Sequence, residues 1–199
     1  FQEAPLDLNR AFGRDNPKVL EIGFGMGVAT VEIAKRLPDT DFLAIDVHGP
    51  GVGNILKLIE EEHISNIRVM RHDAVEVVEK MLEDGSLDGI HIFFPDPWHK
   101  KRHNKRRLVQ VPFVEKLLPK LKSGGYVHMA TDWEEYAHVM RDVMEAHPDF
   151  ENMHAGEGAT EDDPVGCWAP RWEGRILTSF ERKAREADRR AHDLTYRRK

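Results

Sequence analysis

A doubly wound α/β domain, with a mostly parallel sheet and helices on both faces, is the fold class this sequence predicts. Three observations predict it. Short apolar runs alternate with segments of helical spacing, the pattern of βαβ units. The first run closes on Gly23, Gly25 and Gly27, a turn that leads into a helix. Acids stand at or just beyond the ends of the runs, at Asp46, Asp73, Asp96 and Asp132, where ligands meet such a sheet.

The elements follow in order. Residues 18–23 read as a buried strand and 28–37 as a helix stopped before Pro38. Strands are expected at 41–46 and 67–70, with a helix at 54–63 between them. Residues 73–82 read as a helix opened by an acidic cap, and 87–94 as a strand ended by Pro95. Residues 107–121 have helical spacing despite Pro112, 123–125 form a turn, 126–131 a fifth strand and 133–146 a helix. The stretch 152–171, rich in Gly, Pro and acids, reads as a loop, and 176–181 as a final strand. One antiparallel strand is expected near the C-terminus.

At 199 residues, 40% apolar and 32% charged, the chain has room for one domain with a substantial core. No apolar run is long enough to span a bilayer. Cys167 is the only cysteine, which excludes an internal disulfide and suggests a reducing, cytoplasmic setting. The net charge is −6, yet residues 99–107 are Lys, Arg or His at every position except Asn104. The six Lys and Arg of that run carry +6, leaving −12 elsewhere. Local fields decide where a polyanion lands, so the run is a candidate phosphate-binding face.

The glycine turn lets backbone N–H groups approach a ligand, although alone it is a weak signal. Asp46 ends the second strand, where a carboxylate can accept from ribose hydroxyls. Asp73 suits an adenine edge, or else simply caps the following helix. NAD would use the same turn and the same ribose acid. S-adenosylmethionine fits better, because the spacing is G-x-G-x-G and Val28 and Ala29 stand where a pyrophosphate loop would want another glycine. Glu21 also puts a negative charge near the mouth, useful for a sulfonium and unhelpful beside a pyrophosphate.

The segment Phe94-Pro95-Asp96-Pro97-Trp98 follows the fourth strand, and its two prolines stiffen it. A carboxylate there can accept from guanine N1–H and N2–H₂ together, and an aromatic face can stack on a base. A rigid loop with Trp98 packed on the core is the plainer alternative for Trp98. Asp132 reads as a site residue, as an N-cap, or as both. His99 and His103 have i, i+4 spacing, but no third ligand is evident and the neighbours are cationic, so no metal is expected.

Together these stretches resemble the bacterial tRNA (guanine-N7)-methyltransferase family, of the class I (Rossmann-like) methyltransferases, over nearly the whole chain. The matching residues are 20–27, 46–48, 73–76, 94–107 and 130–134, the stretch 94–107 being the most specific. The resemblance implies S-adenosylmethionine as cofactor, held by Glu21, Gly23, Gly25, Gly27, Asp46, Asp73 and Asp96, with Asp96 also the catalytic residue. It implies substrate binding by Lys100, Asp132, Thr178, Ser179, Phe180 and Glu181. It implies RNA contacts from Arg102, His103, Asn104, Lys105, Arg106 and Arg107. Ser179 stands where the family's C-terminal motif has Lys, which puts that lysine's contact in question here. The implied partner is tRNA, methylated at a variable-loop guanosine, by a monomer or homodimer with no membrane and no metal. Residues 1–16 read as the remnant of a family N-terminal segment and 182–199 as a basic C-terminal tail on a single domain spanning 1–199. An exocyclic-amine methyltransferase, a non-catalytic RNA-binding module and, more distantly, an NAD-dependent dehydrogenase stay open as alternatives.

Overall fold

The computed structural model describes residues 1–199, the side chains of Ser179 and Phe180 excepted. Seven strands form one sheet in the order β3-β2-β1-β4-β5-β7-β6. The strands are β1 (Lys18–Ile22), β2 (Asp41–Asp46), β3 (Ile67–Arg71), β4 (Leu87–Phe93), β5 (Leu121–Thr131), β6 (Phe150–Asn152) and β7 (His192–Arg198). β1 to β5 pair in parallel, while β7 runs antiparallel to both β5 and β6. β1 is buried at every position, as a central parallel strand must be. Successive side chains leave a strand on opposite faces, and two apolar clusters result. Leu20, Ile22, Ile90 and Ile92 pack beneath one face, Val19, Phe42 and Ala44 beneath the other.

The helices are α1 (Leu8–Phe12), α2 (Val28–Arg36), α3 (Gly49–Glu61), α4 (Ala74–Lys80), α5 (Val111–Leu117), α6 (Glu134–Glu145) and α7 (Ser179–Glu186). Helix α3 begins five residues before the sequence predicts, with Pro50 in its first turn, where a missing N–H costs nothing. This early start seats Gly51 against the glycine turn. A Cβ at Gly51 would overlap the Gly25 carbonyl oxygen, and one at Gly27 would overlap Ile55. Gly27 also has φ of +75°, a left-handed backbone that a side chain would strain.

Three other expectations change. Helix α5 starts at Val111 rather than 107, because Pro112 belongs in a first turn and not inside a helix. Residues 123–125 are absorbed into β5 as an irregularity, the register passing from Leu87↔Leu121 to Gly89↔Tyr126. No strand forms at 176–181: Thr178 caps α7 there, its hydroxyl accepting from the Glu181 N–H at 3.2 Å. The Thr-x-x-Glu spacing is a helix-start signal, and it prevails over the apolar pair Ile176 and Leu177 that suggests a strand. The stretch 182–199, expected as a basic tail, contains the rest of α7 and all of β7, with Leu194 and Tyr196 in the core. The antiparallel strand near the C-terminus is therefore β7.

Candidate active site

A cleft of about 820 Å³ opens beyond the carboxyl ends of β1, β2 and β4, a volume suited to a small-molecule ligand. Its walls include Glu21, the three glycines of the turn, Asp46 and Asp96, with Arg175, Thr178 and Arg182 across from them in sequence. The Asp46 carboxylate builds the turn: it accepts from Gly25 N–H at 2.8 Å and His48 N–H at 2.9 Å. A carboxylate has about four acceptor sites, so two remain for ligand hydroxyls.

Glu21 is buried, 3% exposed. One oxygen accepts from the Thr30 hydroxyl at 3.0 Å, and the other, Oε2, has no partner among the described residues. Burial pushes its carboxyl up to about 7, the Thr30 bond opposing and the Asp46 charge adding to the rise. Glu21 is thus a charge poised at neutrality, where the sequence suggests a fixed one. An acid whose pKa is raised on folding stabilises the fold below its unfolded value, and that contribution is lost as pH rises through the folded value. Glu21→Gln is therefore expected to stabilise the ligand-free protein at pH 8 relative to pH 5, by thermal melting of both proteins at the two pH values. An equal shift at both would rule out the buried charge.

Asp96 is exposed on its loop, and no hydrogen bond to its side chain forms among the described residues. Phe94 and Trp98, on either side, have φ of +51° and +44°. Non-glycine residues held there cost on the order of 1–3 kcal/mol each, and such strain clusters at functional sites. The Trp98 ring is engaged, with the Arg106 guanidinium 4.7 Å from its centroid and His103 edge-on.

The basic run folds as a 3₁₀ turn over Lys101–Arg106 directly after this loop. Lys100, Lys101, Arg102, Lys105 and Arg106 are exposed on it, while His103 and Asn104 are half-buried. Arg107 breaks the pattern. It is 4% exposed, its Nε donates to the Pro97 carbonyl at 2.7 Å, and its guanidinium lies 4.9 Å from the Tyr136 ring centroid. It lies beneath the loop, unlike the exposed cations that precede it in the run.

The remaining expected residues divide. Asp73 caps α4, accepting from Val75 N–H at 2.7 Å, and borders a neighbouring groove that shares Val47 with the main cleft. Asp132 does not cap α6, whose N-cap is Trp133. It pairs instead with Arg189 at 2.8 Å, in a second cleft beyond β5. Thr178 lines the main cleft, but Glu181 is 1% exposed and engaged by Arg171, Arg175 and Arg185. Glu181 thus anchors α7 rather than offering a free carboxylate to substrate. The side chains of Ser179 and Phe180 lie outside the described residues.

Arg175 is the wall residue that the sequence did not disclose. Fully buried, it donates to Glu181 at 2.8 Å and to both Asp193 oxygens at 2.8 and 3.0 Å. Its guanidinium is 5.1 Å from the Phe94 ring centroid, which ties β7 and α7 to the loop that carries Asp96. No local pattern marks it, since its partners come from distant positions. Among the described residues no three His, Cys, Asp or Glu cluster as a metal site, and no helix is long and apolar enough to cross a membrane.

A parallel sheet reversed by one late strand, with a glycine turn and a strand-end acid facing one cleft, defines a class I S-adenosylmethionine-dependent methyltransferase. A family model described as "Putative methyltransferase" matches residues 15–194. A tRNA (guanine-N(7)-)-methyltransferase from Neisseria meningitidis (serogroup A / serotype 4A) is 61% identical over 100% of this chain and 79% of its own length. One from Chromobacterium violaceum is 55% identical over 100% of this chain and 83% of its own. The chain belongs to the tRNA (guanine-N7)-methyltransferase family. Solved structures similar in fold include an rRNA methylase from Streptococcus thermophilus, with TM-score 0.58 and 14% identity over 100% of this chain and 98% of that one. TrmN from Thermus thermophilus has TM-score 0.61 and 20% identity, over 96% of this chain and 47% of that one.

Proposed function

We propose that this cleft catalyses S-adenosylmethionine-dependent methylation of guanine N7 in tRNA, at a variable-loop guanosine, with Asp96 positioning the base. The observation that supports it most is the placement of Asp96: a free carboxylate on a two-proline loop, in the same cleft as Glu21 and Asp46 and continuous with a cationic surface. The cleft suits the cofactor chemically. The unpartnered buried oxygen of Glu21 is an acceptor that a cationic ligand would satisfy, holding that carboxyl in its ionised form. Asp46 would take the ribose hydroxyls, and Asp73, from the adjoining groove, the adenine edge.

Held by Glu21, the glycine turn and Asp46, S-adenosylmethionine would supply an activated methyl group on a sulfonium, whose positive charge would pass to the base on transfer to N7. Guanine N7 carries no proton, so no side chain has to act as a base. Asp96 accepts from the base N1–H and N2–H₂ and offsets the growing positive charge, catalysis by position and electrostatics. Lys100, Arg102, Lys105 and Arg106 hold phosphates, with His103 and Asn104 beside them. Thr178 completes the substrate side within this cleft, and Asp132 would meet the substrate from the second cleft beyond β5. An amine-directed reaction would require a base or a carbonyl acceptor at the nitrogen, and Pro95 precedes the acid here where that loop type places the acid first.

Incubating an unmodified tRNA transcript with methyl-labelled S-adenosylmethionine tests the reading. Label in one variable-loop guanosine, released by cleavage selective for 7-methylguanine, is the expected result. Label stable to that chemistry would transfer the activity to an exocyclic amine. On the finer points we infer a single cytoplasmic domain acting as monomer or homodimer, which light scattering on the purified chain would distinguish.

A further inference from the structure

We propose that Arg107 is a positioning residue for the 95–97 loop, fixing where Asp96 stands, rather than one more cation on the RNA-binding face. This rests on the reading of Asp96 given above. The physical need comes from the loop's own composition. Pro95 and Pro97 have no N–H, so the loop has few donors with which to tie itself to the rest of the fold. The prolines make it stiff but do not place it. The backbone turns at Phe94 and Trp98, both with positive φ, are the points about which a stiff segment would swing.

Arg107 supplies the missing donor from outside. Its Nε meets the carbonyl of Pro97, the residue next to Asp96, at 2.7 Å. The other end of the guanidinium is held as well, against the Tyr136 ring and 3.4 Å from Glu135 Oε1. Tyr136 is itself fixed, fully buried with its hydroxyl accepting from Val109 N–H at 3.0 Å. The tie therefore runs from α6 through Arg107 to the loop. Arg107 Nη2 is buried and has no partner among the described residues. A side chain kept only for packing would do better without an unsatisfied donor. Its neighbours Lys105 and Arg106 are exposed, as phosphate ligands must be; Arg107 is not.

The test is steady-state kinetics on tRNA at several salt concentrations for Arg107→Met and Arg107→Lys, with thermal melting of each. Arg107→Met should lower kcat roughly 10- to 100-fold, the scale set by a misplacement of about 1 Å. The tRNA KM, its salt slope and cofactor affinity should stay put. Arg107→Lys, which keeps a donor and the charge, should recover part of the loss, and it carries the test if Arg107→Met does not fold. Arg102→Ala, run alongside, should instead raise KM and reduce the salt slope by about 0.7–0.9, the signature of one lost phosphate contact. Should the Arg107 variants follow the Arg102 pattern, or keep kcat, the proposal is overturned. Asp96→Asn in the same assay separates the two layers: an unchanged kcat there removes the reading of Asp96 itself, whereas a loss there with none at Arg107 removes only this inference.

Discussion

Asp96→Asn is expected to lower kcat by roughly 10²–10³-fold while leaving the affinity for S-adenosylmethionine nearly unchanged. The substitution preserves shape and removes charge. One carboxylate oxygen becomes an NH₂, a donor set against the N1–H and N2–H₂ donors of guanine, so the base loses an acceptor and meets a repulsion. The charge that would offset the positive charge growing on the base is lost too. Asp96 forms no internal hydrogen bond among the described residues, so the fold has little to lose from the change. Single-turnover rates with labelled cofactor measure the first effect and calorimetry the second. A rate within a few-fold of the parent protein would sink the assignment.

The second large effect belongs to the exposed cations. Replacing Lys100, Lys101, Arg102, Lys105 and Arg106 together with Ala should weaken tRNA binding by roughly 10²–10³-fold at about 0.1 M salt. The same protein should show a flatter dependence of log affinity on log salt, by about 0.7–0.9 for each phosphate contact removed. Filter binding across a salt series gives both numbers. These side chains are exposed, so the melting temperature should barely move. If affinity and slope were both unmoved, the run would be no more than a hydrated surface, and the tRNA would have to dock elsewhere.

Much of the cofactor end was legible because it is local. A strand, a turn and a helix in succession carry their own pattern, and β2 (Asp41–Asp46) ends on the acid as expected. The basic run was legible as charge but not as placement. Nothing in Arg106-Arg107 says that one arginine faces solvent and its neighbour lies under a loop; that depends on Tyr136, 29 positions away from Arg107 in the numbering. The C-terminal third was the hardest. Thr178 and Glu181 carry a helix-start signature, yet the apolar Ile176 and Leu177 before them look like a strand. In β7 the alternation of Leu194 and Tyr196 with polar residues is present, but four charged residues in seven obscure it once His192 is counted among them. Asp193 looks like one more surface acid and is buried, paired with Arg175 and His128.

The position of β7 bears on how the enzyme comes into being. It leaves the ribosome after β5 and β6, yet it has to be inserted between them. Until it does, β5 presents an open row of backbone donors and acceptors, a surface prone to pairing with other chains. Asp193, which holds Arg175 under the Phe94 ring, arrives on that same strand. A nascent chain can therefore assemble the glycine turn and strand-end acid of its cofactor half early, while the loop bearing Asp96 gains its support only when the sheet closes. Competence to methylate is thereby tied to completion of the fold.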